Sequence, residues 1–253
     1  MIRSITSSLY KLFIDRPFRV TMIVGIILAL GLTFVYNMTD DGVTGSLMLL
    51  MTGSPTNNFG IAIPINLVTF IIGEYTYGTI RNKIIAGNRR RNIYISLLIS
   101  NIIFSLLLIT AYSGLSVILG TILGGWGTME AKEVLSYILI TVLVYILLAA
   151  LATLMATLIR HQGLAITATI LIIFSGFITA MIYFSVNGGH FNDSDYALFA
   201  FNPLSYHALS SLIITSFFLS PFKALPWCAI SCVLYSALFV GLGLYFFHRF
   251  DVK

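Results

Sequence analysis

Between Ile93 and Leu123 the chain runs 31 residues without an Asp, Glu, Lys or Arg. A run that long has one common home. About 20 apolar residues, at about 1.5 Å each, already match a hydrocarbon core of about 30 Å. Five further runs read the same way, over 18–38, 58–72, 134–159, 164–186 and 226–247. Composition agrees: 9% of residues are charged, 58% are hydrophobic and mean hydropathy is +0.97. A soluble domain carries about 25% charged residues. The expected fold is an all-α integral membrane protein with six transmembrane helices, in a single domain over 1–253. No cleavable signal peptide is expected, because the first apolar run is too long for one and no small-residue cleavage site follows it.

The segments between the spans carry the detail. In Ile2 to Asp15, Ile2, Ile5, Leu9, Leu12 and Phe13 recur at spacings of three and four, while Arg3, Ser4, Ser7, Ser8 and Lys11 fill the other side. That pattern predicts an N-terminal interfacial helix, ended by Pro17. Residues Thr39 to Asn57 read as a polar loop with a short apolar piece, Leu47 to Met51. The second span is short and holds Pro64, so a kink is expected there. Between spans five and six, residues 187–225 are too apolar for a loop in water and too interrupted for a clean span. They predict two short re-entrant helices in the outer leaflet, with a seventh full span as the competing reading. Cys228 and Cys232 stand four apart in an apolar run and are expected as buried thiols.

Charge then orients the chain. With six spans, one side holds 12 Lys+Arg against Asp15, Glu74 and Asp251. The other holds Lys132 and Lys223 against six acids. The sums, +9 and −4, give the net charge of +5. Basic loops stay cytoplasmic, so both termini are expected in the cytoplasm. The basic residues lie between apolar runs, which points to a membrane surface and not to nucleic acid.

The densest basic insert is Gly73 to Asn92, with Arg81, Lys83, Arg89, Arg90 and Arg91. Placed on one helix, Glu74, Gly78, Arg81 and Ile85 share a face, with Thr76 and Lys83 elsewhere, and Gly87-Asn88 is a helix stop. Arg89 to Arg91 then meet anionic lipid at the headgroups. Other chemistry is missing from the sequence. The spans hold no Asp, Glu, Lys or His away from their ends, which argues against proton coupling. The four histidines are scattered, giving no metal site. No Gly-x-x-x-x-Gly-Lys-Ser/Thr loop occurs; the nearest, Gly73 to Gly78, lacks the lysine.

The run Glu74-Tyr-Thr-Tyr-Gly78-Thr79-Ile80-Arg81-Asn82-Lys83, then Gly87, Arg89 to Arg91 and Ile93-Tyr94, resembles the segment after the second span in ABC-2-type ABC transporter permeases. The resemblance is to the small bacterial ones of bacitracin and lantibiotic resistance and phenol-soluble modulin export. It extends to the whole layout, with Asn202-Pro203-Leu204 before the last span. Leu97-Leu98 departs from it, where a basic residue would be expected.

The resemblance implies a coupling helix that docks on a separate ABC ATPase subunit. Its contact residues would be Glu74, Tyr75, Thr76, Gly78, Thr79, Ile80, Arg81, Asn82, Lys83, Gly87 and Arg89. ATP and Mg would be bound by that partner, with no cofactor in this chain. A second permease copy, identical or paralogous, completes the implied assembly in a bacterial cell membrane. The alternative is an ATP-independent transporter or channel. Hydroxyl and amide side chains in the spans, Asn66, Thr69, Thr167, Thr169, Ser175 and Thr179, are candidates for a path suited to a hydrophobic or amphipathic cargo such as a peptide. Ser and Thr also serve simply to join helices in bundles.

Overall fold

The structure, a computed structural model, describes residues 6–7, 10, 14, 16–38, 44–55, 58–186, 196–212 and 220–249. In chain order the helices are α1 (Arg16–Asn37), α2 (Gly45–Gly53), a 3-10 turn (Asn58–Ile61), α3 (Ala62–Thr76), α4 (Thr79–Ile85), α5 (Arg90–Gly124), α6 (Ala131–Leu158), α7 (Gln162–Val186), α8 (Leu198–Phe201), α9 (Leu204–Leu212) and α10 (Pro221–Arg249). Six are long and apolar enough to cross a membrane: α1, α3 with its 3-10 turn, α5, α6, α7 and α10. Each expected span falls on one of them. The protein is therefore a multi-pass helical membrane protein, and the described residues contain no strand.

α6 is the centre of the bundle. Two thirds of its apolar window is buried, 67%, against 28% for α1 and α7 and 22% for α10. It packs on α3, α5, α7 and α10. Ala149, Ala150, Ala152 and Ala156 are all buried on it. Small side chains at these positions let neighbouring backbones approach closely, where lipid gives helices no hydrophobic reason to associate. α1, α7 and α10 expose Ile, Leu, Val and Phe outward, as a surface facing hydrocarbon must.

Three local expectations change. Pro64 is the third residue of α3, within its first turn, where its missing N–H costs no helical bond. It sits just after the span changes from 3-10 helix, over Asn58–Ile61, to α-helix. α3 then continues to Thr76, so Gly73 to Thr76 belong to the span and not to the insert. At the other end of the chain, α10 begins at Pro221 and carries Pro226 inside its second turn.

The segment expected as a polar loop before the second span holds a helix. α2 is buried along its length except at Leu47. Thr44 caps it, accepting from the Leu47 amide at 3.3 Å. Gly45 N–H donates to the Gly125 carbonyl and Ser46 N–H to the Trp126 carbonyl, both at 2.9 Å. Further along, the Thr52 hydroxyl donates to Ser113 at 3.0 Å. α2 thus runs antiparallel to the last turns of α5. It stops where Ser54, preceding Pro55, is forced extended, ψ 132°. Gly60 then packs on the Ser54 carbonyl and the Pro55 backbone, which leaves no room for a side chain.

Of the interrupted insert, residues 196–212 and 220–225 are described. α8 and α9 are there, four and nine residues long, each too short to cross a bilayer. Asn202 is extended between them, and its side-chain oxygen accepts from the Leu204 amide at 3.2 Å. α8 hangs on α10, where Ser231 donates to the Phe199 carbonyl at 3.0 Å and Tyr235 to the Phe201 carbonyl at 2.8 Å, while α9 packs on α7. The helix expected over Ile2 to Asp15 lies, but for a few residues, outside the described residues. Cys228 and Cys232 are buried free thiols.

Candidate functional site at the basic end

The Glu74–Ile85 stretch is not one helix. The Tyr77 amide still bonds to the Gly73 carbonyl at 2.9 Å, but the Gly78 amide bonds to the Tyr75 carbonyl at 3.0 Å. Gly78 itself turns left-handed, φ 66°, and its carbonyl then starts α4 by accepting from the Asn82 amide at 3.0 Å. One glycine therefore closes α3 and opens α4, a role that needs the αL conformation. The break overturns the expected face shared by Glu74, Arg81 and Ile85. It turns Glu74 inward, leaves Arg81 and Ile85 outward, and brings Lys83 to Glu74.

Lys83 Nζ lies 3.2 Å from Glu74 Oε2, with side-chain exposures of 11% and 0%. A fully buried carboxylate is tolerable only with a partner of this kind. Ile80, on the same inward side of α4, is wholly buried. Thr76 donates back to the Ile72 carbonyl at 2.9 Å, and Thr79 is half-buried at the start of α4. Thr76, Tyr77, Arg81, Asn82, Ile85, Ala86, Gly87 and Arg89 are exposed.

α4 ends as the sequence predicts. Gly87 is left-handed, φ 83°; its amide bonds to the Ile84 carbonyl at 2.9 Å and the Asn88 amide to the Lys83 carbonyl at 3.1 Å. These are the paired bonds of a Schellman stop. Arg89 then caps α5 in an extended conformation.

Several helix ends meet around this short helix. The Arg160 guanidinium, in the turn from α6 to α7, lies 5.5 Å from the Tyr75 ring centre. Arg90 donates to the His248 carbonyl at 3.2 Å. Phe247 of α10 packs 6.4 Å from Tyr75 and 5.7 Å from Tyr94, ring centre to ring centre. Gly243 sits directly under the Tyr94 hydroxyl. The ends of α3, α5, the α6–α7 turn and α10 thus meet here, and α4 packs on two of these elements, α3 and α5.

The six candidate path residues are not gathered in this way. Asn66 and Thr69 lie half-buried on α3, Thr167 and Ser175 exposed on α7, Thr169 buried and Thr179 half-buried there. Each donates to a carbonyl of its own helix, at 2.6 to 2.9 Å. α3 and α7 pack on each other, and one of the six bonds across them: Gln162 Nε2 donates to Thr69 at 3.4 Å. Ser175 lines a groove of about 190 Å³ together with Asn202, Leu204 and Tyr235.

The buried polar interior lies elsewhere, between α5 and α6. Ser96, Ser100, Asn101, Ser105, Ser113 and Ser116 are buried along α5, and Asn101 Nδ2 donates to Thr153 of α6 at 3.1 Å. Their spacings of 4, 1, 4, 8 and 3 are legible in the sequence as a polar stripe at helical period. Towards the far end, the Tyr137 hydroxyl donates to the Leu50 carbonyl at 2.9 Å. His207, in α9, packs edge-on to Tyr137 with ring centres 5.3 Å apart. Burial lowers its pKa to about 3, so the imidazole is neutral. Among the described residues no three His, Cys, Asp or Glu side chains could together hold a metal ion. No family model, curated protein or solved structure matches the chain.

Proposed function

We propose that this chain is the membrane subunit of an ATP-driven exporter of the ABC-2 permease type. It works as two copies with two separate ATPase chains, which bind the ATP and Mg. The observation that carries the reading is α4: a two-turn helix, exposed on its outer side and held on its inner side against α3 and α5, with the Lys83–Glu74 ion pair fixing it to α3. Such a piece has little use as a mere loop between spans. It has the form of a lever for a moving partner. Closure of that partner pushes α4, and the rigid mounting passes the motion to α3 and to the start of α7.

In this reading the basic end faces the cytoplasm of a bacterial cell, both termini lie there, and residues 2–15 form a helix on the membrane surface. α8 and α9 dip into the outer leaflet as re-entrant helices. The cargo is hydrophobic or amphipathic, such as an antimicrobial or modulin-type peptide. Thr167 and Ser175, exposed on α7, fit a path completed by the second copy.

The test is Arg81→Glu. Insertion and dimerisation should be unchanged, while ATP hydrolysis by the co-purified partner loses its dependence on cargo. Full coupling in this variant rejects the assigned role. Purification from the native membrane with no ATPase attached favours an ATP-independent transporter instead. Glu74→Ala, which the sequence alone makes an equivalent test, is not one, because Glu74 is internal.

A further inference from the structure

We infer that α4 reads its partner through Tyr77, Arg81 and Ile85, and that Glu74, Ile80 and Lys83 are positioning residues that never touch it. The inference rests on the reading of α4 as a docking helix and assigns what that reading leaves open: which residues make contact, and with what chemistry. Two large apolar side chains are exposed just beyond the end of the span, Tyr77 at 78% and Ile85 at 73%. Arg81 lies between them in the chain and is exposed, one turn before Ile85 on the same face of α4. Exposed aromatic and Arg side chains are the ones that dominate binding energy at interfaces. On the opposite side, the Glu74–Lys83 pair and buried Ile80 fix how α4 is rotated about its own axis. Gly78 by itself would leave that rotation loose.

Charge specifies the occupant. Among the described residues this end carries Arg16, Arg19, Arg81, Lys83, Arg89, Arg90, Arg91, Arg160 and Arg249, and its one carboxylate, Glu74, is buried in the ion pair. Around α4 the described field is therefore positive, and the other two acids of this side, Asp15 and Asp251, stand far from it in the chain and lie outside the described residues. The complementary partner is a protein groove with a carboxylate opposite Arg81 and an apolar pocket on either side for Tyr77 and Ile85. Anionic lipid would satisfy the arginines but offers no two pockets at this spacing.

The test places a photo-crosslinking benzoylphenylalanine at position 77, 81, 85 or 80 of the full chain, one at a time, in its native cells. Expected are adducts from 77, 81 and 85 to an acidic segment of another protein, and from 80 only within this chain. Adducts to phospholipid alone, no intermolecular adduct from 77, 81 and 85, or an adduct from 80 to the partner each overturn the assignment. The captured chain separates the two claims. If it has a phosphate-binding loop and is held through 80, the exporter reading stands and this contact face is wrong. If it is held through 77, 81 and 85 at an acidic segment but has no such loop, the face stands and the exporter reading fails. A charge swap checks the positioning role: Glu74→Lys and Lys83→Glu each lower the adduct from 85 at least fivefold, and the double swap restores it. Failure of the double swap to restore the adduct, in protein that inserts normally, overturns that role.

Discussion

The two ends of the bundle are built on opposite plans. Among the described residues the connections at the basic end are short, and the small helix α4 leaves Arg81, Asn82 and Ile85 exposed. At the far end the small helices α2 and α9 are sunk into the bundle, and the connection after α5 is sewn to α2 by two backbone hydrogen bonds at 2.9 Å. Glycine serves in two ways, and each end uses both, since Gly125 at the far end has a positive φ in open space and Gly243 at the basic end lies against the Tyr94 hydroxyl. Gly78 and Gly87 are left-handed with open space beside them, so they act by conformation. Gly45, Gly53 and Gly176 have helical backbones but lie against Thr121, Tyr137 and Leu204, so they act by size. The α4 surface takes its shape from two left-handed glycines and one buried ion pair, whereas the seams at Gly45, Gly53 and Gly176 take theirs from close contact.

That contrast can be broken most sharply at Lys83. Lys83→Met removes the ammonium beside a carboxylate with no exposed side-chain surface, and losing one member of a buried pair costs about 3 kcal/mol or more. A thermal melt of the purified protein should show the largest drop of any variant named here. A shift indistinguishable from wild type would mean that α4 is not held by this pair. Next comes the far end. In Gly176→Ala the new Cβ would lie 2.5 Å from the Leu204 Cβ, an overpacking cost of about 1–3 kcal/mol. The loss should appear as a lower melting temperature, with faster proteolysis between α7 and α9.

Gly78→Ala sharpens the comparison, because nothing lies within 4 Å of its Cβ position and only the left-handed backbone resists. The expected cost is about 1 kcal/mol, below that of Gly176→Ala. Gly78→Asn should recover part of it, since Asn tolerates this conformation. The reverse order, Gly78 costing more than Gly176, would erase the distinction between a glycine kept for conformation and one kept for size. Smallest is Tyr137→Phe, which removes a single hydrogen bond to the Leu50 carbonyl and about 1 kcal/mol or less. Its melting shift should be the least of the four, and its mark is faster amide exchange in α2.

The six crossing helices were legible because hydrocarbon forces backbone groups to bond within each segment, so long apolar runs have one solution. The Gly87-Asn88 stop was legible for a similar reason: a glycine after a helical run has few other uses there. The face of α4 was not. Periodicity assumes an unbroken helix, and a single left-handed glycine after Tyr77 rotates everything that follows. Glu74 and Lys83 sit nine apart, a spacing that pairs in space only once the chain has bent. α2 escaped because Gly45, Ser46, Thr52 and Gly53 look like loop residues, although here they are small so that a helix can lie close to α5 and α6. The candidate path residues were chosen as hydroxyls in spans, yet in a helix such hydroxyls mostly bond to their own backbone.

The central claim is that the basic end is the handle for a motor made by another gene. Native mass spectrometry of the chain, purified gently from its own membrane, tests this most directly. Two copies of the 27.9 kDa chain together with two ATPase chains are predicted, and Arg81→Glu should release the ATPases while leaving the pair of permease copies intact. A wild-type particle that holds no ATPase would contradict the account.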